Sequence, residues 1–568
     1  MIRPLCCWLL LLGKLAAAQE TVQVPVGRYG VDYTLQLVVV AMGGSEIQAQ
    51  WPGDKVAVEV EGTSFALAVP QAVLVTGEAY ELVSQDGSTY TLYCTELPLF
   101  HVRTPHAIVD EPKVPGMLSG WSGEELIEDQ ALGIEIRGGS SLTYPKKSFL
   151  IELVTDTLIN EQMDRSLLGL RSDDDWNLQA GYIEPNRLRS VVGMELWSDL
   201  HALYYADEEP EALTGVRMRH FELFINDSYR GLYALSERVD RKQLQLKQYN
   251  GTIRGELYKG IGWGGSTFTS IPPPFAQNAV VWGGWEHVHP EGNPNWAELS
   301  ELVSLVVNGT EPNIHALMRQ RFHLPTMVDY HLFLNLLKAE DNTGKNIFLA
   351  RYDEGEPYFY VPWDLDATFG LSWNGLFNVS TDLFLSNGVY ARWFTDLSPG
   401  GFVESMCERW TELRAGPFTV EAIMDRFHAH YARLVSNGVY TREELAWPAY
   451  VHDPDHLQAM AGWIEQRIAY MDQELGSYCR LLSVAEHQGN YNFRVAPNPA
   501  QGWTSLQLPD ESPSCSVVLV NSLGQSVRQY NGIGNGSALD LAGITPGAYV
   551  LVLQQQGAVL GTARIVVE

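Results

Sequence analysis

Asp341-Asn342-Thr343-Gly344-Lys345-Asn346, with Trp363-Asp364-Leu365-Asp366 downstream, is the stretch on which the reading of this chain turns. Before it, Thr326 to Ala339 puts Met327, Tyr330, Leu334 and Leu337 on one side of a predicted helix. After it, Phe348-Leu349-Ala350-Arg351-Tyr352 and Tyr358 to Val361 predict a β-hairpin. The loop thus begins where a helix ends and runs into a hairpin. Asp364 stands 23 residues after Asp341, just past the second strand. In D-x-x-x-x-N spacing the carboxylate can accept the proton of an attacking hydroxyl, and the amide can ligate a metal. A second carboxylate beyond the hairpin can hold that metal against phosphates. Such chemistry consists mostly of charge neutralisation and positioning. Asp and Asn are also common in turns and caps, so spacing alone does not assign the function.

Two further segments fit the same chemistry. Gly133 to Arg137 and Lys147 to Val154 read as strands, joined by Gly138-Gly139-Ser140-Ser141 and Pro145-Lys146. A glycine-rich turn between strands lets backbone N–H groups approach phosphates, and a following Lys reaches them as a point charge. Lys147 shares a face with Phe149 and Ile151 and points inward if that face is buried, with Lys146 pointing out; a one-residue slip exchanges them. The plain alternative is a hairpin with solvated lysines. Phe221 to Asn226 and Gly231 to Leu235 form a second hairpin around Asp227-Ser228, and Ser236-Glu237-Arg238-Val239-Asp240 follows it. Glu237 there is placed to receive an adenine amino group or to orient a base; read alone, the element favours the plainer strand-end ion pair with Arg238 or Arg241.

These motifs together resemble the CotH family, the spore-coat-protein-H kinases. Arg137-Gly-Gly-Ser-Ser with Pro145-Lys-Lys-Ser-Phe is similar to its R-G-x-S-S and K-K-S-[FY] signature. Glu222-Leu-Phe-Ile-Asn, Tyr229-Arg-Gly-Leu-Tyr and Glu237-Arg-Val-Asp240 follow its second segment. Asn346-Ile-Phe-Leu and Pro362-Trp-Asp-Leu-Asp-Ala-Thr-Phe-Gly370 follow its third, with Ile347 where an aromatic is usual. The resemblance implies an atypical protein-kinase-like fold over 97–482 and transfer of phosphate from ATP, with Mg²⁺ or Mn²⁺, to Ser/Thr of surface or secreted proteins. It makes Asp341 the catalytic residue and Asn346, Asp364 and Asp366 the metal group. Arg137, Gly138, Gly139, Ser140, Ser141, Lys146 or Lys147, and Glu237 become nucleotide contacts. The carboxylate that pairs with the lysine is left unassigned, with Glu195 a candidate.

The flanks read differently. Residues 19–96 carry β-rich runs such as Val22-Gln23-Val24-Pro25-Val26 and Val56 to Val60, broken by Gly43-Gly44 and Pro52-Gly53, and predict an all-β sandwich. Residues 492–568 lack Lys and show short strands with frequent turns, a second β-sandwich. There Val495-Ala-Pro-Asn-Pro-Ala500, Asn521-Ser-Leu-Gly-Gln525 and Leu541 to Val550 resemble the type IX secretion sorting domain of Bacteroidota, which implies the type IX secretion machinery as a partner. The expected architecture is therefore multidomain: an α+β kinase-like centre flanked by N- and C-terminal β-sandwich domains.

Met1-Ile2-Arg3, the apolar run Leu5 to Gly13 and Ala16-Ala17-Ala18 predict a secretory signal peptide over 1–18, too short to span a membrane. Localisation at the outer-membrane surface or in the medium follows, with no transmembrane segment in the mature chain. The net charge is −30, from 68 acids against 38 bases, which disfavours nucleic acid and anionic lipid as general partners. Four cysteines remain after cleavage (Cys94, Cys407, Cys479 and Cys515), with no CxxC pair for zinc; a Cys407–Cys479 bridge is conceivable in an oxidising compartment.

Other readings stand beside the kinase. A catalytically silent kinase-fold surface protein would use the Gly-, Trp- and Pro-rich loop 261–295 for adhesion or for glycan or protein binding. A hydrolase would use Asp364 and Asp366 as paired carboxylates, about 7 Å apart on one strand face. His287 and His289 are metal-ligand candidates if their strand faces a pocket, and members of a solvated loop otherwise. Ser-Asn-Gly-Val-Tyr at 386–390 and 436–440 reads as reuse of a turn sequence.

Overall fold

The computed structural model describes residues 19–568 apart from 157, 159–160, 264, 277, 311–312, 487–492, 509–514, 522–524 and 556–557. The signal peptide expected over 1–18 and the centre of the 521–525 motif lie outside the described residues. Among the described residues several sheets and eleven α-helices make a mixed α/β, multidomain protein. The chain divides into two compact units. One takes in residues up to 191, 217–238 and 427–454; the other takes in 192–216, 239–426 and 455–568.

In the first unit, residues 19–94 form a seven-stranded sheet whose ends are Gln19–Gln23 and Tyr29–Asp32. Buried and open positions alternate over Val58–Val60 and Phe65–Leu67 within strands Asp54–Val60 and Thr63–Gln71, as period-two side chains require. The region is not all-β: Gly44–Gln50 is a helix anchored by buried Ile47. Glu46, Gln48, Ala49 and Gln50 are good helix formers, which the reading of Gly43-Gly44 as a turn passed over.

The sheet leads into a closed seven-stranded barrel. Its order is Leu126–Arg137, Ser148–Leu153, Asp175–Gln179, Ser228–Ser236, Met218–Ile225, Leu99–Arg103 and Val114–Trp121. A barrel this small has its interior filled by side chains; Leu132, Ile134, Phe149, Ile151, Leu178 and Leu235 belong to that core. Asp32 ties the sheet to the barrel by accepting the Tyr229 N–H at 2.9 Å.

The second unit holds a five-stranded sheet ordered Val281–Trp282, Trp285–His289, Glu256–Ile261, Lys345–Arg351, Tyr358–Pro362. The stretch 261–295 is thus only partly loop, because two of its segments add strands to this sheet. His289 is buried with Nε2 3.2 Å from the Lys247 carbonyl oxygen. His287 packs edge-on to Tyr258 and Trp296 at 5.5 and 5.8 Å. Burial, then neighbouring His289, pulls its pKa down to about 4. Both stand on a strand, His287 against aromatic rings and His289 buried on a backbone carbonyl, rather than in a solvated loop.

Helix Leu324–Leu337 packs against strand Tyr358–Pro362, and helix Phe402–Arg414 packs against Leu324–Leu337 and His456–Glu486. The Cys407–Cys479 disulfide joins the last two. Residues 494–567 carry a three-stranded and a four-stranded sheet around Leu506, Val517, Leu539 and Leu551.

The repeated Ser-Asn-Gly-Val-Tyr is a helix entry. Gly388 and Gly438 precede the helices Val389–Trp393 and Val439–Ala446 at φ 66° and 64°. A Cβ there would lie 2.0 Å from the Thr267 carbonyl oxygen and 2.3 Å from that of Gly77, respectively. Left-handed backbone and close approach both demand glycine.

Candidate functional site

Every residue from Thr326 to Leu337 in helix Leu324–Leu337 is buried, and Lys338 ends it in the left-handed conformation. The next turn, Asp341–Thr343, feeds directly into strand Lys345–Arg351, which pairs with Tyr358–Pro362 from Ile347↔Pro362 onward. Asp341 and Asn346 are half-buried, Asp364 is exposed and Asp366 half-buried. Asp364 and Asp366 lie beyond the strand end, not on a shared strand face as the hydrolase reading required.

Asn346 and Asp364 have φ of 51° and 58°. L-residues reach that region at a cost, and Asn and Asp bear it best. Such strain persists only where the surroundings fix it. Here the Trp363 N–H donates to the Asn346 carbonyl at 3.0 Å. The Asn342 side-chain amide donates to the carbonyls of Asn346 and Trp363, both at 2.7 Å. Tyr330 Oη on the helix donates to the Asn342 carbonyl at 3.0 Å. Leu365, fully buried between the two aspartates, seats the segment. A Cβ on Gly193 would lie 2.9 Å from Leu365 Cδ1, so the helix Arg189–Leu200 comes close only because it has glycine there.

In the barrel unit, Arg137 pairs with Ser148, so residues 138–147 form the connection. Gly138, Gly139 and Ser140 are exposed, and Ser140–Thr143 makes one 3₁₀ turn. Lys147 Nζ, half-buried, donates to the Leu142 carbonyl at 2.6 Å and so lies against that turn. Lys146 does not point to solvent. It is fully buried, 2.6 Å from Glu443 Oε1 and 2.5 Å from the Leu232 carbonyl. Burial, partly offset by Glu443, pulls its pKa down to about 8. Glu443 also accepts the Leu232 N–H at 2.5 Å and lies 3.4 Å from Arg187. The carboxylate paired with Lys146 is therefore Glu443, on helix Val439–Ala446, and not Glu195. Its neighbour Arg442 forks onto Glu222 with two bonds of 2.8 Å, and Tyr229 Oη donates to Glu222 at 2.5 Å. Much of the second signature segment thus serves a buried charge network.

Glu237 is also committed to structure. It is fully buried and accepts from the backbone N–H of Arg171 and Arg217 at 3.0 and 2.8 Å and from the Arg217 guanidinium at 2.6 Å. The ion pair at the strand end is with Arg217, neither Arg238 nor Arg241. Both oxygens are engaged, which corrects its reading as an adenine contact.

Asn346, Asp364 and Asp366 offer only oxygen donors, the set that suits Mg²⁺ or Mn²⁺. Among the described residues Asp341, Asp364 and Asp366 do not form a converging acidic group; the two groups that do converge are both in the barrel unit, Glu152–Asp174–Asp175 and Asp164–Asp173–Asp174. Cations already face them: Lys113 lies 2.6 Å from Glu152, Arg238 2.5 Å from Asp175 and Arg171 2.5 Å from Asp173.

Asn342, Glu443 and Arg217 are the residues that sequence reasoning missed. Asn342 stands inside the quoted loop but its two acceptors are backbone atoms. Glu443 is 297 residues from Lys146, beyond any local pattern.

A mixed α/β protein with an acidic helix-to-hairpin loop in one unit and a glycine-rich strand connection in the other is what the fold and site define. The model of the CotH kinase protein family matches residues 134–471, more than half of the sequence, and the chain belongs to that family. Membership points to kinase activity with ATP and a divalent metal. No curated protein matches the chain. Among solved structures, the Pseudomonas fluorescens alkylpurine DNA glycosylase AlkC bound to DNA containing an abasic site analog is similar over 32% of this chain and 63% of its own, at 15% identity and a TM-score of 0.10. The chain thus spans less than two thirds of that structure, and a likeness so slight bears on neither fold nor activity. No helix among the described residues is long and apolar enough to cross a membrane.

Proposed function

We propose that this chain is an exported CotH-like kinase that transfers the γ-phosphate of ATP to Ser or Thr of surface or secreted proteins. The observation that carries the reading is the loop geometry. Asn346 and Asp364, on opposite strands' ends of one hairpin, are both held left-handed and tied together by the 3.0 Å Trp363–Asn346 backbone bond. Asp341 takes the proton of the acceptor hydroxyl as its oxygen bonds to phosphorus and the bond to the leaving diphosphate breaks. Asn346, Asp364 and Asp366 would hold the divalent metal, which would supply neutralisation of phosphate charge. Within the barrel unit, the exposed glycine-rich connection 138–141 with Arg137 and Lys147 suits contact with phosphate groups, while Lys146 and Glu237 are held inside buried ion pairs.

The export part of the reading rests on the residues of 1–18, on the 492–568 resemblance to a type IX sorting domain, and on the Cys407–Cys479 disulfide, which suits an oxidising compartment. The domain limits that go with it are 19–96, 97–482 and 492–568.

Calorimetric titration of ATP with Mn²⁺ into the mature chain tests the reading. Asp364→Asn is expected to abolish saturable binding, and Asp341→Asn to retain binding while abolishing transfer. Binding by the wild type that neither substitution alters in affinity or turnover would sink the assignment. A folded wild type that binds no nucleotide would turn the search to a silent, kinase-fold adhesion protein.

A further inference from the structure

We infer that Asn342 is the positioning residue of the metal group: its side-chain amide sets the backbone that presents both Asn346 and Asp364. The inference rests on the kinase reading above. Asn342 is 2% exposed, so its polar atoms are held by protein rather than water. One N–H of its Nδ2 goes to the Asn346 carbonyl and the other to the Trp363 carbonyl, each at 2.7 Å. The second carbonyl belongs to the peptide that joins Trp363 to Asp364. A primary amide has two donors on one nitrogen, and here both are spent on the peptides of the two proposed ligands.

The chemistry explains why an amide stands here. Asn346 and Asp364 are left-handed at φ 51° and 58°. Unless held, each peptide would relax toward ordinary backbone and swing its side chain away. A single group that bonds to both carbonyls fixes their separation and mutual orientation. Tyr330 in turn holds the Asn342 carbonyl at 3.0 Å and references the staple to the buried helix. Metal affinity depends on such outer groups as well as on the ligands, with typical losses of 10–100-fold on their removal.

Asn342→Asp keeps the size but removes both donors and sets a carboxylate against two carbonyl oxygens; Asn342→Ala removes the donors alone. Mn²⁺ affinity in saturating ATP would be read on the full mature chain, beside melting without metal. Both variants are expected to bind Mn²⁺ about 10-fold or more weakly, with a melt that stays cooperative though lowered by the unpaired carbonyls, and with turnover partly recovered by excess Mn²⁺. Tyr330→Phe, which loses the anchor to the helix but leaves both amide donors in place, is expected to weaken Mn²⁺ binding less than either Asn342 variant does. Wild-type affinity in both Asn342 variants overturns the inference while leaving the kinase reading intact. Failure of both to fold without metal also overturns it, since the amide would then serve the fold alone. Absence of Mn²⁺·ATP binding in the wild type itself removes the kinase reading, and the inference with it.

Discussion

Lys146 and Lys147 are adjacent and do different work. Lys146 is walled in with Glu443, and Glu443 also faces Arg187, so removing that carboxylate leaves two buried cations without their counter-charge. Breaking such a pair costs roughly 3–5 kcal/mol. Glu443→Gln is therefore expected to lower unfolding stability by about that amount in denaturant titration. Lys147→Met removes a half-buried charge at the glycine-rich turn. It is expected to change stability by about 0.5 kcal/mol or less while raising the KM for Mg²⁺·ATP. Equal stability losses in the two variants would refute the division. The sequence showed two candidate lysines and could not separate them, because strand alternation stops short: the strand begins at Ser148. The partner that decides the matter comes from a distant helix. Glu237 teaches the same point. Its position was legible, but the two backbone donors and Arg217 that consume its oxygens are set by tertiary packing.

At the scale of elements, helix Leu324–Leu337 was visible through Met327, Tyr330, Leu334 and Leu337. What periodicity did not show is that its other sides are buried as well, including Asp329, His331 and Asn335. His331 lies among Tyr390, Phe394 and Phe402, with Nε2 2.9 Å from the Leu385 carbonyl. Burial pulls its pKa down to about 3 from the ordinary 6.5. Between those values the unfolded chain binds a proton that the folded chain refuses, so stability rises with pH there. The contribution is whole above about pH 6.5 and is lost as pH falls toward 3. His331→Gln does not titrate. It is expected to melt lower than wild type at pH 7.5 and to lose less between pH 6.5 and 4.5, as read by melting temperature against pH. A parallel decline in the two proteins would show that this imidazole is not the source. The hairpin Lys345–Arg351/Tyr358–Pro362 was legible nearly to its ends, whereas the helix Gly44–Gln50 was not, since a single buried Ile47 gives no periodicity.

On the scale of the whole molecule, the cysteine count allowed several pairings and geometry selects one. Cys407 and Cys479 have Cα atoms 5.7 Å apart and are bridged, while Cys94 and Cys515 are buried and outside this bridge. The bridge joins the helix Phe402–Arg414 to the helix His456–Glu486 across 72 residues of sequence. Closing a loop of that size restricts the unfolded chain far more than the folded one, a stabilisation of typically about 2–4 kcal/mol. The same pair of helices packs beside Leu324–Leu337, the element from which the acidic loop departs. Loss of the bridge should therefore loosen the frame of that loop without touching its ligands. The double variant Cys407→Ser/Cys479→Ser is expected to unfold at lower denaturant by that amount and to show a raised KM for Mg²⁺·ATP. Adding dithiothreitol to the wild type should reproduce the stability loss and leave the variant unmoved. A wild type whose unfolding is indifferent to reductant would mean that the bridge contributes nothing to the fold, and that the two helices are joined by the Trp410 Nε1–Asp472 hydrogen bond at 2.9 Å, the Arg414–Asp472 ion pair at 3.1 Å and their buried apolar side chains, Met406 and Met471 among them.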